Sequence, residues 1–282
     1  LIPLVKWPGG KRNQIEAIWG AFGESCPGTF REPFAGSGAV VLGLRARGIV
    51  DRAEISDINP RLIAFHLAIR DRADDVIEAL DALPRVVTQS NYYEIRDLFN
   101  ESPQVGPEHA ARFLWLNRAG FNGLYRENKA GKLNVAIGHE GQIRHLPGPG
   151  QIQAVSRMLE GVIIRCEPFA ASLSRVVPGD WVYCDPPYVS ASPSMAFVGY
   201  SSGGFGYDAQ KALGKACERA AASGAVVVVS NRDQPLTRDH LYPTDRGWEH
   251  VQSLDVRHSI GRKRAAEMIA RIGTIKKDRF QG

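Results

Sequence analysis

The chain has 282 residues, with 35 Lys and Arg against 30 Asp and Glu, and 44% of its residues are hydrophobic. This is ordinary globular composition, which excludes a disordered chain, a collagen and a small disulfide scaffold. The length suits one large α/β domain, or one domain carrying an inserted second one, with a core that needs no metal or disulfide staple.

Phe30 to Phe34 reads as a short strand, followed by Ala35-Gly36-Ser37-Gly38 and a helix to about Arg47 that Gly48 closes. Ala53 to Ser56 is a second strand, ending at Asp57. Asn59-Pro60 opens a helix from Arg61 to about Arg70, with proline at its first position. This βαβα alternation marks a parallel sheet covered by helices. Residues 71–108 read as helical and acidic, and a helix runs from Pro107 to Asn117. An irregular Gly- and Asn-rich stretch then extends to Pro147-Gly148-Pro149-Gly150, which reads as a boundary. The alternation resumes with a strand at Val162–Cys166, a helix at Phe169–Val176, a strand at Trp181–Cys184, a helix at Tyr207–Ala222 and a strand at Ala225–Ser230. Glu249–Val256 and Glu267–Ile272 read as two late strands, expected to pair antiparallel. The sum is a doubly wound, mostly parallel sheet interrupted by a helical insertion.

Charge is unevenly spread. Residues 71–108 carry three basic against nine acidic side chains, whereas 109–150 carry six against two and 255–282 eight against three. Concentrated positive charge is the footprint of nucleic-acid binding. No apolar run approaches the roughly 18 residues of a membrane span. Leu1 to Lys6 lacks the apolar core and cleavage site of a signal peptide. The four cysteines follow no metal-binding spacing, so they are expected to be free thiols in a reducing compartment, and no metal is expected.

Glu32-Pro33-Phe34-Ala35-Gly36-Ser37-Gly38 lies on a strand-to-helix turn. Glycines there let the backbone approach a ligand beside a helix N-terminus, and Asp57, at the end of the next strand, is placed for ribose hydroxyls. In isolation, a tight turn and helix cap explain the glycines equally well; together with Asp57 they favour a nucleoside-bearing cofactor. Asp185-Pro186-Pro187-Tyr188 follows an apolar strand, and two prolines force the chain out of the sheet. The Asp185 carboxylate and Pro186 carbonyl can accept both hydrogens of an exocyclic aromatic amine. Its lone pair is then freed for in-line attack on a methyl sulfonium, with Tyr188 stacked on the ring.

These residues together resemble the DNA adenine N6-methyltransferases of the Dam-like class, across nearly the whole chain. Lys6-Trp7-Pro8-Gly9-Gly10-Lys11 is similar to the family's K-W-x-G-G-K, Glu32–Gly38 to its E-P-F-x-G-x-G, and Asp57-Ile58-Asn59 to its D-I-N. Phe113 to Arg126 is similar to its F-L-x-L-N-R-x-G-Y-N-G-L-x-R, Cys166 to Phe169 lies near its C-x-D-F, and Asp185–Tyr188 is its D-P-P-Y. The motif order is the family's α arrangement.

The resemblance implies a Rossmann-like catalytic domain of residues 1–70 and 151–282, with 71–150 as the target-recognition domain. It implies S-adenosylmethionine bound by Trp7, Lys11, Phe34, Gly36, Gly38, Asp57, Phe169 and Asp185, with catalysis by Asp185, Pro186 and Tyr188. Double-stranded DNA would be contacted by Lys6, Phe121, Asn122, Leu124 and Arg126. Arg126 would read a guanine and Phe121 would wedge into the stack left by a flipped adenine. Arg257, Arg262, Lys263 and Arg264 would meet phosphates. GATC is the site the resemblance implies, and the enzyme would act as a monomer in the cytoplasm of a bacterial or phage-infected cell, alone or beside a restriction partner.

Four departures bear on the recognised sequence more than on the chemistry. Phe121 replaces the usual Tyr, and Pro168 stands where Asp is frequent. Glu140 puts an acid in a loop where relatives face DNA, and His258–Arg264 is shorter than the family's stretch. Two other readings stay open: methylation of RNA adenine, and a DNA-binding regulator without catalysis. The intact Lys11, Asp57 and Asp185 speak against the second. Asn231 reads either as a pocket residue or as a strand-end turn, and the loop Ser201–Gly204, between Tyr200 and Phe205, as a cover for a flipped base or a linker.

Overall fold

The computed structural model describes residues 2–23, 26–188, 205–257 and 264–274. Its helices are α1 (Ile15–Phe22), α2 (Ala39–Arg45), α3 (Pro60–Asp71), α4 (Ala73–Asp81), α5 (Gln89–Glu101), α6 (Pro107–Ala119), α7 (Pro149–Leu159), α8 (Phe169–Leu173) and α9 (Tyr207–Ala222). Its strands are β1 (Phe30–Glu32), β2 (Ala53–Asp57), β3 (Val86–Val87), β4 (Gly141–Gln142), β5 (Ile163–Cys166), β6 (Trp181–Cys184), β7 (Val226–Arg232), β8 (Glu249–Arg257) and β9 (Arg264–Ile272). The chain forms two compact units: a helical one of Leu1–Arg12, Gly36–Ala46 and Asn59–Cys166, and a sheet-bearing one of Asn13–Ala35, Arg47–Ile58 and Glu167–Gly282.

In the sheet unit the strands run in the order β2-β1-β6-β7-β9-β8. The β2–β1, β1–β6 and β6–β7 pairs are parallel, and β9 runs antiparallel to both β7 and β8. This is the expected mostly parallel, Rossmann-like sheet with an antiparallel edge. From β1 the chain moves outward to β2, and from β6 it moves the other way to β7. The order therefore reverses between β1 and β6, and the carboxyl ends of those two strands flank the switch point where such sheets bind ligands.

Central parallel strands are covered on both faces, and all four residues of β6 are buried. Trp181 points to the α1 face, where the Phe22 ring stacks on it at 4.7 Å. Val182 and Cys184 point to the other face and pack in one core with Leu213 and Cys217 of α9 and Val227 and Val229 of β7. Beneath this core lies a buried ion network. Arg31 of β1 meets Asp180 at 2.7 Å and Glu54 of β2 at 3.0 Å, and Arg175 meets Glu54 at 2.5 Å and also pairs with Glu167.

The helical unit is cored by Phe65, Tyr92, Phe99, Phe113 and Trp115, all buried. Asn59 caps α3, its side-chain oxygen accepting from the N–H groups of Arg61 and Leu62, both at 3.0 Å, with Pro60 at the first position. Thr88 and Asn91 form a reciprocal capping box at the start of α5.

Several boundaries differ from the sequence reading. β1 stops at Glu32, because Pro33 has no N–H to extend the ladder. α2 stops at Arg45, and Gly48 takes its left-handed conformation in the turn beyond. α8 stops at Leu173 rather than Val176. The Pro147–Gly150 segment opens α7, with Pro149 at its first turn and Ile152, Val155 and Leu159 on its buried side.

Candidate active site

The turn after β6 is fixed by what its residues lack. Pro186 and Pro187 have no N–H, so the ladder ends and the chain leaves the sheet immediately after Asp185. Asp185 is half-buried and Pro186 buried. From α9, the fully buried Gln210 donates from Nε2 to the Pro187 carbonyl at 2.6 Å. Asn231, buried near the end of β7, donates from Nδ2 to Gln210 Oε1 at 3.1 Å. Burial, reinforced by the charges of Asp185 and Glu267, pushes the Tyr188 phenol well above its ordinary value. Burial does the same to Tyr183, which shares a 2.8 Å hydrogen bond with Ser230. Both phenols stay protonated at neutral pH. The turn thus offers oxygen acceptors and a flat ring, not a tyrosinate base.

Three half-buried phenylalanines gather in the same unit. Phe34, just after β1, stacks on Phe169 of α8 at 5.7 Å, and Phe205 stands edge-on to both at 5.5 and 5.8 Å. Two residues expected at the cofactor, Phe34 and Phe169, are therefore brought together. Asp57, half-buried at the end of β2, accepts through its backbone carbonyl from the Glu167 N–H at 3.1 Å, two residues before Phe169. Aromatic faces that can stack on a base and a strand-end carboxylate that can accept from ribose hydroxyls suit a nucleoside.

The helical unit holds Lys6, Trp7, Lys11, Gly36 and Gly38. Gly36 has φ +50° and Gly38 φ +69°, the left-handed region that glycine alone enters freely. A Cβ on Gly36 would lie 2.8 Å from Cδ1 of Trp7, so the indole closes over a position open only to glycine. The Gly36 carbonyl is 2.8 Å from His66 Nε2. Lys11 is buried and donates from Nζ to the Gly9 carbonyl at 2.6 Å. Trp7 stacks on Tyr125 at 5.3 Å. The Tyr125 hydroxyl donates to the Glu127 carboxylate; burial first, then this bond, drives its pKa up.

Residues 121–126 emerge from the end of α6. Phe121 is 50% exposed, Asn122 and Arg126 are exposed, and Leu124 is half-buried. The Asn134 side chain accepts from Arg126 Nε at 2.9 Å, and its backbone carbonyl lies 3.4 Å from one terminal nitrogen, so Asn134 directs the guanidinium. Asn117 clamps Lys6, accepting from its N–H at 2.7 Å and donating to its carbonyl at 2.9 Å, and also donates to the Gly123 carbonyl at 3.0 Å. Glu140 serves the structure of the helical unit. It accepts from the Gln89 N–H at 2.7 Å, which places its charge at the N-terminus of α5.

Sequence reasoning gives no role to Asn117, Tyr125 or Gln210. A buried amide needs partners, so the signal for Asn117 and Gln210 is a polar residue on an otherwise apolar helix face. Arg257 and Arg264 pair by backbone across β8 and β9. Arg262, Lys263, Tyr200 and the loop Ser201–Gly204 lie outside the described residues. Among the described residues no His, Cys, Asp and Glu cluster could hold a metal ion, and no helix is long and apolar enough to cross a membrane.

Comparison with known proteins gives a concordant result. The family model for D12 class N6 adenine-specific DNA methyltransferases matches residues 7–255. The DNA adenine methylase of Escherichia coli K12 is 32% identical over 276 residues, covering 95% of this chain and 94% of that protein. The Type II methyltransferase M1.LlaDCHI of Lactococcus lactis subsp. cremoris is 30% identical over 244 residues, covering 85% and 84%. A DNA adenine methylase of Vibrio cholerae is 30% identical over 272 residues, covering 95% and 94%.

Proposed function

The chain belongs to the D12 class N6 adenine-specific DNA methyltransferases, and we propose that it transfers the methyl group of S-adenosylmethionine to N6 of an adenine flipped out of a GATC site in duplex DNA. The observation that carries this reading is the Asp185–Tyr188 turn, which leaves a buried central strand at the sheet's switch point with its Pro187 carbonyl held from α9.

S-adenosylmethionine, when bound, supplies an electrophilic methyl on a sulfonium sulfur. The residues proposed to hold it are Trp7, Lys11, Phe34, Gly36, Gly38, Asp57, Phe169 and Asp185. Asp185 and the Pro186 carbonyl each accept one N–H of the adenine amine. That turns its lone pair out of conjugation and aims it along the line of attack. Tyr188, kept neutral, stacks on the base. A C–N bond forms at N6 as the C–S bond breaks, and the surplus amine proton leaves along the hydrogen bond to Asp185 and on to water.

Residues 71–150 are proposed to recognise the target. Arg126 reads guanine O6 and N7, Phe121 fills the gap in the stack, and Lys6, Asn122 and Leu124 complete the contact with the bases. Arg257, Arg262, Lys263 and Arg264 meet phosphates, which set affinity and its salt dependence rather than sequence.

The test is incubation with isotopically labelled S-adenosylmethionine and duplexes with and without GATC, followed by mass spectrometry of the digested nucleosides. N6-methyladenine confined to the GATC duplex is expected. Methylation of another duplex would replace the site while keeping the chemistry. Label in RNA alone, or in no nucleic acid, would overturn the reading.

A further inference from the structure

Two successive prolines weaken the ties of a turn to its surroundings. Pro186 and Pro187 have no N–H, so half of the residues from Asp185 to Tyr188 offer no backbone donor. A side chain that holds one of the turn's carbonyls makes up part of that loss. The structure assigns this role to Gln210, which we infer to be a positioning residue for the methyl-transfer turn, itself oriented by Asn231; the inference rests on the reading of Asp185–Tyr188 as the catalytic turn.

The hydrogen bonds form a chain with a fixed direction. The Arg232 N–H donates to Asn231 Oδ1 at 2.8 Å, Asn231 Nδ2 to Gln210 Oε1 at 3.1 Å, and Gln210 Nε2 to the Pro187 carbonyl at 2.6 Å. Asn231 is committed as an acceptor on one side, so it must donate on the other. That fixes the amide of Gln210 with its NH2 toward the turn. Both side chains are fully buried, where water gives no substitute partner. The pinned carbonyl belongs to the peptide joining Pro187 to Tyr188. Rotation of that peptide would swing the Tyr188 ring and displace the Pro186 carbonyl behind it. Gln210 touches neither adenine nor methyl donor in this scheme; it acts through the geometry of residues that do, and displacements of about 1 Å are costly in such sites.

The direction of the chain gives a specific test. Gln210→Glu keeps the shape but sets a carboxylate oxygen against the Pro187 carbonyl. Asn231→Asp removes the donor to Gln210 Oε1, so the amide of Gln210 turns over and presents its own oxygen to the turn. Two substitutions, one on a residue whose amide reaches the Pro187 carbonyl through Gln210, should therefore share one defect. Single-turnover methyl transfer at saturating S-adenosylmethionine and DNA should fall about 10- to 100-fold in both, with calorimetric Kd values for the donor and for duplex DNA within about threefold of wild type. Gln210→Met, which introduces no buried charge, covers the case in which a buried carboxylate prevents folding. It leaves Asn231 Nδ2 without its acceptor, so a lowered melting temperature is expected, and the same loss of rate should appear in the protein that remains folded at the assay temperature.

Wild-type single-turnover rates in folded Gln210→Met and Asn231→Asp would overturn the proposal, as would a loss explained wholly by weaker donor binding. Asp185→Ala measured in parallel separates the two claims. If it still transfers methyl, the catalytic turn itself is misassigned; if it is inactive while the Gln210 and Asn231 variants are normal, only the positioning role fails.

Discussion

Asp185–Tyr188 and Phe121–Arg126 are both short irregular segments at the end of a regular element, yet they are held in contrasting ways. The first leaves a strand buried at every residue, and a side chain from α9, itself held by one from β7, fixes its carbonyl. The second leaves α6 with a half-exposed Phe121, an exposed Asn122 at φ +55° and an exposed Arg126 steered by Asn134. The difference matches the work proposed for each. Bond making tolerates little displacement and so calls for a framework that over-determines each atom. Reading a duplex needs side chains that extend into solvent and meet base edges.

The comparison is sharpened most by removing the carboxylate of the first segment. Asp185→Ala should cut methyl transfer by roughly 10²- to 10⁴-fold, the contribution of a positioned proton-accepting group. Duplex binding in a gel-shift assay should survive. If binding fell in step with transfer, the two segments would not divide the labour as proposed. Arg31→Met attacks the same unit elsewhere, since it takes the Arg31 guanidinium from buried Asp180 and from buried Glu54, which keeps Arg175. Breaking one side of a buried ion network costs about 3–5 kcal/mol, a shift that urea unfolding would resolve. The protein that remains folded should methylate at the wild-type rate.

The same contrast explains what can be read from the sequence. The strand Trp181–Cys184 and the helix Tyr207–Ala222 are legible to the residue, because a run of buried apolar residues and a long amphipathic helix each carry a strong local pattern. The turn after Cys184 is legible because two prolines permit little else. The partner that holds it is not, since Gln210 lies 23 residues beyond Pro187 and meets it only through the packing of α9 on the sheet. α1 leaves little trace because its eight residues begin without a side-chain cap, and the opening of α7 resembles a boundary because Pro and Gly there serve a helix start. In the recognition segment the motif residues are legible, but the Trp7–Tyr125 stack and the Asn117 clamp on Lys6 join stretches more than 100 residues apart, which spacing alone does not reveal.

The helical unit also contains a buried group whose charge state matters. His109 is 1% exposed and stacks on Phe99 at 4.5 Å. Burial first, then the nearby cations Arg61 and Arg112, lowers its pKa from 6.5 to about 4. Below pH 6.5 the unfolded chain takes up a proton that the folded chain refuses. Stability from this site is therefore complete above pH 6.5 and is lost as pH falls toward 4, by on the order of 3 kcal/mol. His109→Leu should flatten that acid limb in urea titrations at pH 7 and pH 4.5. An unchanged slope would mean that other groups govern the acid stability of the unit.

The smallest effect is expected where the segment is most exposed, and it differs in kind. Arg126→Ala removes a guanidinium that Asn134 holds mainly through Nε, at 2.9 Å, with a longer 3.4 Å contact to one terminal nitrogen. If the terminal nitrogens read a guanine, discrimination against a substituted base pair should fall by about 1–3 kcal/mol at that position only. Donor affinity and the single-turnover rate on the preferred duplex at saturation should hold, because the Pro187 carbonyl is held by Gln210 and Gln210 by Asn231. Asn134→Ala should give a weaker version of the same loss, since it frees the guanidinium without removing it. A fall in rate without a change in discrimination would place Arg126 with the chemistry and erase the distinction between the two segments; equal loss against every duplex would make it a phosphate contact instead.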